Sequence, residues 1–80
     1  DVELRLVRGE LRARTDCARA LDDFGAVLAV ARDELAERAL FGRAICLERL
    51  GDREAAREAR ARYERRHPNG RFSATPASRQ

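Results

Sequence analysis

LFGRAICLERLGDREAAREARARYERRHP, residues Leu40–Pro68, contains two helical patterns separated by Gly51-Asp52. Glycine is favoured just after a helix, and aspartate is favoured at the position that begins one. Pro68 follows the second pattern and disfavours helix at the residue before it. The stretch therefore predicts a helix, a tight turn and a second helix. Such a hairpin unit buries its apolar faces by stacking on neighbours.

The residues before this hairpin predict a second one. The first helix carries Leu4, Val7 and Leu11 at helical spacing. The third is apolar on two faces, as expected of a helix wedged between neighbours. The four expected helices cover about Val2–Arg14, Asp16–Ala31, Asp33–Leu50 and Asp52–His67, with Asp16 and Asp33 as N-caps. We expect an all-α domain of two antiparallel hairpins over residues 1–68, followed by a flexible tail over residues 69–80.

Residues 24–31, FGAVLAVA, form an unbroken apolar run in the second helix. A strand is the alternative for so short a run, but helical segments surround it and we prefer a helix. One hairpin does not use all of this surface, so a subunit contact or a neighbouring domain missing from this sequence is expected. The predicted assembly surface comprises Phe24, Ala26, Ala29 and Val30, and a homodimer is one form it could take.

Composition limits the class of protein. Eighty residues make one small domain, whose single core supplies only about 3–5 kcal/mol of stability. The net charge is +3, but residues 53–80 hold 8 arginines against 3 glutamates, a local balance of +5. No run is long and apolar enough to insert into a membrane. The chain begins at Asp1, which suggests a fragment or a processed product, and the compartment stays open on composition alone.

The hairpin spacings resemble tetratricopeptide repeats. In the second hairpin Ala44, Gly51-Asp52, Ala56 and Pro68 match the family pattern, and Ala20, Phe24 and Val27 match in the first. The phrases LRARTDCARAL, DELAERAL, CLERLGDREAA and RYERRHPNGRF are similar to C-terminal segments of bacterial envelope proteins, including FecR-like sigma regulators and Tol-Pal-associated repeat proteins. These resemblances imply an extracytoplasmic (periplasmic) repeat domain of a longer bacterial protein.

The resemblance also implies a partner-binding face, because the first helix of each tetratricopeptide hairpin lines the concave surface. The side chains expected there are Arg5, Arg12, Arg38, Phe41, Ile45 and Arg49. The planar fork of arginine suits an acidic peptide or a C-terminal carboxylate. The alternative is a solvated charged face.

Catalysis and cofactor binding are disfavoured. His67 is the single histidine and lies in a helix-ending turn, and Asp22-Asp23 point about 100° apart on a helix, which favours a solvated face. Glycines 9, 25 and 42 form no phosphate loop and predict close helix approach. No metal site is expected, because two cysteines and one distant histidine are too few zinc ligands. For Cys17 and Cys46 we prefer free buried thiols over a disulfide.

We therefore expect a non-catalytic protein-protein interaction or self-association module. A basic nucleic-acid-binding domain is one alternative, because Arg53, Arg57, Arg60, Arg62, Arg65 and Arg66 lie on the fourth helix. Interleaved glutamates and the absence of stacking aromatics argue against it. A terminal cap that seals a longer helical solenoid is the other alternative.

Overall fold

The computed structural model describes residues 1–73, and residues 74–80 lie outside the described part. Four α-helices follow one another there: α1 (Val2–Arg12), α2 (Cys17–Val30), α3 (Glu34–Arg49) and α4 (Arg53–Arg66). α1 packs against α2 and α3 against α4, while α3 also contacts both helices of the first pair. The expected all-α architecture of two hairpins is confirmed. Residues 24–30 are helical, which excludes the strand alternative.

Aspartate begins every helix. Asp1, Asp16, Asp33 and Asp52 are the N-caps, and each carboxylate accepts a hydrogen bond from a backbone N–H two or three residues further on. Such a cap satisfies an amide that has no partner inside the helix and contributes about 1 kcal/mol. Gly51, with φ +83°, supplies the left-handed turn between α3 and α4. The observed ends of the four helices lie within two residues of the ends that the sequence predicts.

Phe24 is the largest fully buried side chain and fills the space between α1 and α3. A Cβ on Gly9 would lie 3.0 Å from Phe24 Cε1, and one on Gly42 would lie 2.5 Å from its Cζ. Both glycines therefore let a helix backbone approach the ring, as predicted. Gly25 has open space around it, so the prediction of close approach is wrong there. Because its ring is enclosed, Phe24 does not belong to an assembly surface.

α3 is buried on two sides. Ala39 and Cys46 join the cluster that contains Phe24, whereas Ala44 and Leu47 pack against alanines of α4. This arrangement agrees with the two apolar faces predicted for the third helix. The helix is the central element of the molecule, since it is the one that joins the two hairpins.

The apolar pattern of α1 predicts which side of the helix packs against its neighbours, but in the structure a different side does so. Leu6 and Gly9 are its buried residues, and Leu4, Val7 and Leu11 are exposed. The physical reason is Gly9, whose missing side chain lets α2 come closest on that side. The apolar stripe therefore points away from the domain.

Cys17 and Cys46 form a disulfide, and their Cα atoms are 5.1 Å apart. The preference for free buried thiols is therefore wrong. Packing of α2 against α3 places the first turn of one helix beside the later turns of the other, which brings the two cysteines into reach. The bond joins the two hairpins and spans 29 residues of sequence. On the loop-entropy estimate such a bond contributes roughly 3–4 kcal/mol.

The chain after α4 folds back onto α3 and α4. The Phe72 ring stacks on the Phe41 ring, with centroids 4.2 Å apart and planes at 12°. The backbone N–H of Arg71 donates to Glu37, and that of Phe72 donates to the Tyr63 hydroxyl. The sequence predicted a flexible tail from residue 69 onward, but Arg71 and Phe72 make these contacts. The rest of that predicted tail lies outside the described residues.

Candidate functional site

A groove of about 340 Å³ lies between the end of α1 and the middle of α3. It combines aromatic and aliphatic surface with several charged groups. Its lining residues are Glu10, Ala13, Arg14, Phe24, Arg38, Phe41, Gly42, Ile45, Arg49 and Phe72. Since α1 and α3 are the first helices of the two hairpins, this is the side on which the resemblance placed a partner-binding face.

The apolar wall of the groove is rigidly supported. Phe41 stacks on Phe72 and meets the ring of Tyr63 edge-on, at a centroid distance of 6.3 Å. Gly42 has no side chain, so its backbone packs closely on the buried Phe24 ring, which supports the groove from beneath. Stacked and edge-on aromatic pairs each contribute about 0.5–1.5 kcal/mol beyond their buried area. The groove is therefore held open by packed rings.

The rim of the groove is cationic. Arg38 donates to both carboxylate oxygens of Glu10, at 3.0 Å from Nε and 2.6 Å from Nη2. This pairing raises the pKa of Arg38, chiefly through the hydrogen bonds. Arg49 Nη1 donates to the Ala13 carbonyl oxygen at 2.7 Å, and Arg14 is exposed at the end of α1. Three guanidinium groups against one carboxylate leave an excess of positive charge.

A hydrogen-bond network holds Phe72 in the groove wall. Tyr63 donates its hydroxyl proton to Glu37 Oε2 at 2.6 Å and accepts from the Phe72 N–H at 2.9 Å. Glu37 Oε2 also accepts from the Arg71 N–H at 3.0 Å. The hydrogen bond from Tyr63 is the main reason that the pKa of Glu37 is lowered. Burial, followed by that same hydrogen bond, raises the pKa of Tyr63 to about 12.

The structure brings together four of the six residues predicted for the partner-binding face. Arg38, Phe41, Ile45 and Arg49 all line the groove. Arg5 and Arg12 do not, because each is bound to the carboxylate of Asp23. The predicted assembly surface is also divided: Ala29 and Val30 are exposed and Ala26 is half-buried, whereas Phe24 is in the core.

Asp23 is a buried carboxylate that sequence reasoning missed. Its side chain is fully buried and accepts hydrogen bonds from Arg5, Arg8 and Arg12 at 2.7 to 3.3 Å. The solvated face predicted for Asp22-Asp23 is therefore wrong for Asp23. A signal was available, since Asp23 lies three residues after Ala20 and four before Val27, on the inner face of α2.

The arginines determine the charge state of that aspartate. The hydrogen bonds from Arg8 are the largest cause of the lowered pKa of Asp23. Burial is the second effect and raises the pKa, and the hydrogen bond from Arg5 is the third and lowers it. The arginine side chains cover the carboxylate and are themselves partly exposed. Asp23 is therefore shielded by charged groups and not by apolar core, which keeps it ionised.

Some of the arginines of α4, the basic helix, are already paired with glutamates. Arg60 pairs with Glu48 and Arg65 with Glu58, so two of the six arginines named for α4 are occupied. His67 ends this helix, and its ring lies 5.5 Å from that of Tyr63. Among residues 1–73, His, Cys, Asp and Glu side chains form no group of three or more that could hold a metal ion.

None of the helices in the part of the chain that the structure describes has the length and apolar character needed to cross a bilayer. Compared with known protein families, with curated proteins and with solved structures, the chain shows no match to any of them.

Proposed function

We propose that this chain is a non-catalytic protein-binding module, whose groove between α1 and α3 takes an acidic peptide segment that carries an apolar side chain. The observation that carries the proposal is the pairing of an aromatic wall with an arginine rim in one groove. The resemblance to tetratricopeptide repeats stays a prediction, and it agrees with this use of the first helices.

Charge complementarity supports an acidic occupant. Arg14 and Arg49 present guanidinium donors at one end of the groove, and the Arg38–Glu10 pair lies beside the aromatic wall. A guanidinium stays protonated at any physiological pH, so these groups bind anions and do not transfer protons. A carboxylate can accept two parallel hydrogen bonds from such a group.

The shape of the groove supports an apolar anchor on the same peptide. Phe41, Ile45 and Phe72 form a surface that a leucine or phenylalanine side chain can cover. Binding sites of this kind derive most of their affinity from a few anchors in preformed apolar pockets. The peptide would therefore be recognised by one buried apolar side chain and one neighbouring carboxylate.

Fluorescence anisotropy with labelled synthetic peptides tests the proposal. The probes are short peptides in which leucine or phenylalanine stands beside aspartate or glutamate, and matched peptides in which the acids are amides. We expect saturable binding of the acidic peptides only, weakened about tenfold by Arg14→Glu. We also expect binding to weaken as salt rises.

The matched control is Arg57→Glu, which makes the same charge change on α4, away from the groove. It should leave peptide binding unchanged apart from the general effect of net charge. Equal weakening by the two variants would reduce the proposal to non-specific attraction. Equal binding of acidic and amide peptides would refute the role of the arginine rim.

We also propose that the module works in an oxidising compartment, as the resemblance to envelope proteins implies. The disulfide between Cys17 and Cys46 supports this location, because structural disulfides persist outside the reducing cytosol. Because a small domain buries little apolar surface, such a bond supplies a large share of its stability. Thiol labelling of the protein isolated from its native host tests the location, since we expect no reactive thiol before reduction.

A further inference from the structure

The outer face of α1 is a second surface, separate from the groove. Leu4, Val7 and Leu11 have exposed fractions of 68%, 39% and 58%, and their spacing places them in one stripe. The stripe lies on the side opposite Leu6 and Gly9, which face the core. A helix that turns three apolar residues to solvent in a row has an unoccupied packing surface.

Charges of opposite sign border this stripe. At 100° per residue, Glu3 lies along one edge and Arg8 along the other. The Glu3 side chain forms no hydrogen bond or ion pair within the described residues, 1–73, whereas its backbone N–H donates to Asp1 and its charge contributes to the raised pKa of Arg38. Arg8 uses Nε and Nη2 for Asp23, which leaves Nη1 available on a side chain that is half exposed. The face therefore carries an apolar centre, an acidic edge and a basic edge.

We propose that this face binds a second copy of the chain, with the two α1 helices side by side and parallel. In a parallel helix pair, the residue just before the first apolar position faces the residue five places further along the partner helix. Glu3 then faces Arg8 of the second copy, and two-fold symmetry forms the same pair twice. An antiparallel pair centred on the stripe would place Glu3 opposite Glu10 of the second copy, on the same edge of the helix, and Arg8 opposite Arg8, which is repulsive.

The geometry of the domain allows this pairing without rearrangement. The stripe points away from the domain, so the second copy contacts it while every internal contact of α1 is kept. One short helix face buries less than the roughly 1,200 Å² of a stable interface. The association is therefore reversible, with a dissociation constant in the micromolar range or weaker.

Sedimentation equilibrium over a concentration series into the millimolar range tests the proposal. The unmodified chain should pass from monomer to dimer. Leu4→Asp should raise the dissociation constant more than tenfold, because each dimer loses two apolar contacts. An acidic residue near the start of a helix is favourable, so the variant should keep its helical content, which circular dichroism checks.

Val30→Asp is the matched control. Val30 is 61% exposed on α2 and belongs to the other surface considered for assembly. We expect it to leave the dissociation constant unchanged. A chain that stays monomeric at millimolar concentration overturns the proposal. So does a dimer that Val30→Asp disrupts and Leu4→Asp does not.

The charge pattern has its own test. Glu3→Arg should weaken the dimer about fivefold, because it places like charges against each other in the parallel arrangement, and added salt should reduce the effect. Glu54→Arg makes the same change in the first turn of α4. It controls for the stability lost when an acidic residue at a helix start is replaced by a basic one. Tighter association of the Glu3→Arg variant would overturn the parallel arrangement.

Discussion

Asp23 shows how one residue can link two helices through charge. It stands on the inner face of α2, where an apolar side chain is expected, and three arginines of α1 surround it. Arg5, Arg8 and Arg12 are spaced by three and four residues, so they share one face of their helix. Gly9 stands within that run, and a Cβ there would lie 2.9 Å from Asp23 Cβ. The fit of α1 on α2 thus depends on an ion cluster as well as on apolar contact.

Asp23→Asn should lower the free energy of unfolding by about 2 kcal/mol near neutral pH, in the range found for hydrogen bonds to charged groups. The arginines are partly exposed, and water can solvate them after the change, which keeps the loss moderate. The neighbouring variant Asp22→Asn should change stability by less than about 0.5 kcal/mol, because Asp22 is exposed. Urea unfolding of the two variants makes the comparison.

The contribution of Asp23 should depend on pH. Its pKa is lower in the folded chain than in the unfolded chain, where an aspartate has a pKa of about 3.9. The stabilisation is therefore complete above that value and is lost as the pH falls through the folded-state pKa. The difference in unfolding free energy between the unmodified chain and Asp23→Asn should be constant above about pH 5 and shrink below about pH 4. A difference that persists undiminished at about pH 2 would contradict this assignment.

At the scale of the helices, two glycines set the distances of α1 and α3 from Phe24. A side chain at either position would meet the ring closely, and at Gly42 the overlap involves several ring atoms. Protein cores are close-packed, so the ring has little space into which it can move. The hairpins therefore pack around one aromatic residue.

Gly42→Ala should destabilise the chain by about 1–2 kcal/mol, because the cost of overpacking exceeds the gain in helix propensity. Gly25→Ala is the matched control, since Gly25 is also inside a helix but has open space around it. It should stabilise the chain by up to about 1 kcal/mol. Thermal unfolding followed by circular dichroism measures both, and stabilisation by Gly42→Ala would show that Phe24 is free to move.

For the whole molecule, the disulfide joins the first hairpin to the second. A domain of 80 residues buries a small core, much of it alanine, so a covalent link has a large relative effect. The bond connects the start of α2 to α3, and α3 is the helix that contacts all the others. The bond therefore adds a covalent restraint to the packing that places the two hairpins around the groove between α1 and α3.

Reduction should lower the melting temperature by more than about 10 °C, given a loss of roughly 3–4 kcal/mol. The double variant Cys17→Ala/Cys46→Ala should melt near the reduced chain and should not respond to reductant. Scanning calorimetry with and without reductant provides the measurement. A melting temperature unaffected by reduction would show that packing alone holds the hairpins together.

The sequence by itself determined the four helices, their ends and the hairpin order. These features depend on local interactions: Asp16, Asp33 and Asp52 bond to amides within three residues, and Gly51 adopts its turn without help from distant groups. The resemblance to tetratricopeptide repeats, and not the helical spacing, named four residues of α3 that line the groove.

Only the tertiary structure decided the remaining features. These features are the outward stripe of α1, the burial of Asp23, the disulfide and the contact of Phe72 with Phe41. Each depends on contacts between residues that are distant in the chain, or on which side chains occupy the interior. Spacing along α1 showed that Leu4, Val7 and Leu11 share a face, but it did not show which face meets α2. That choice followed from Gly9 and Phe24, whose fit exists only after the helices have packed.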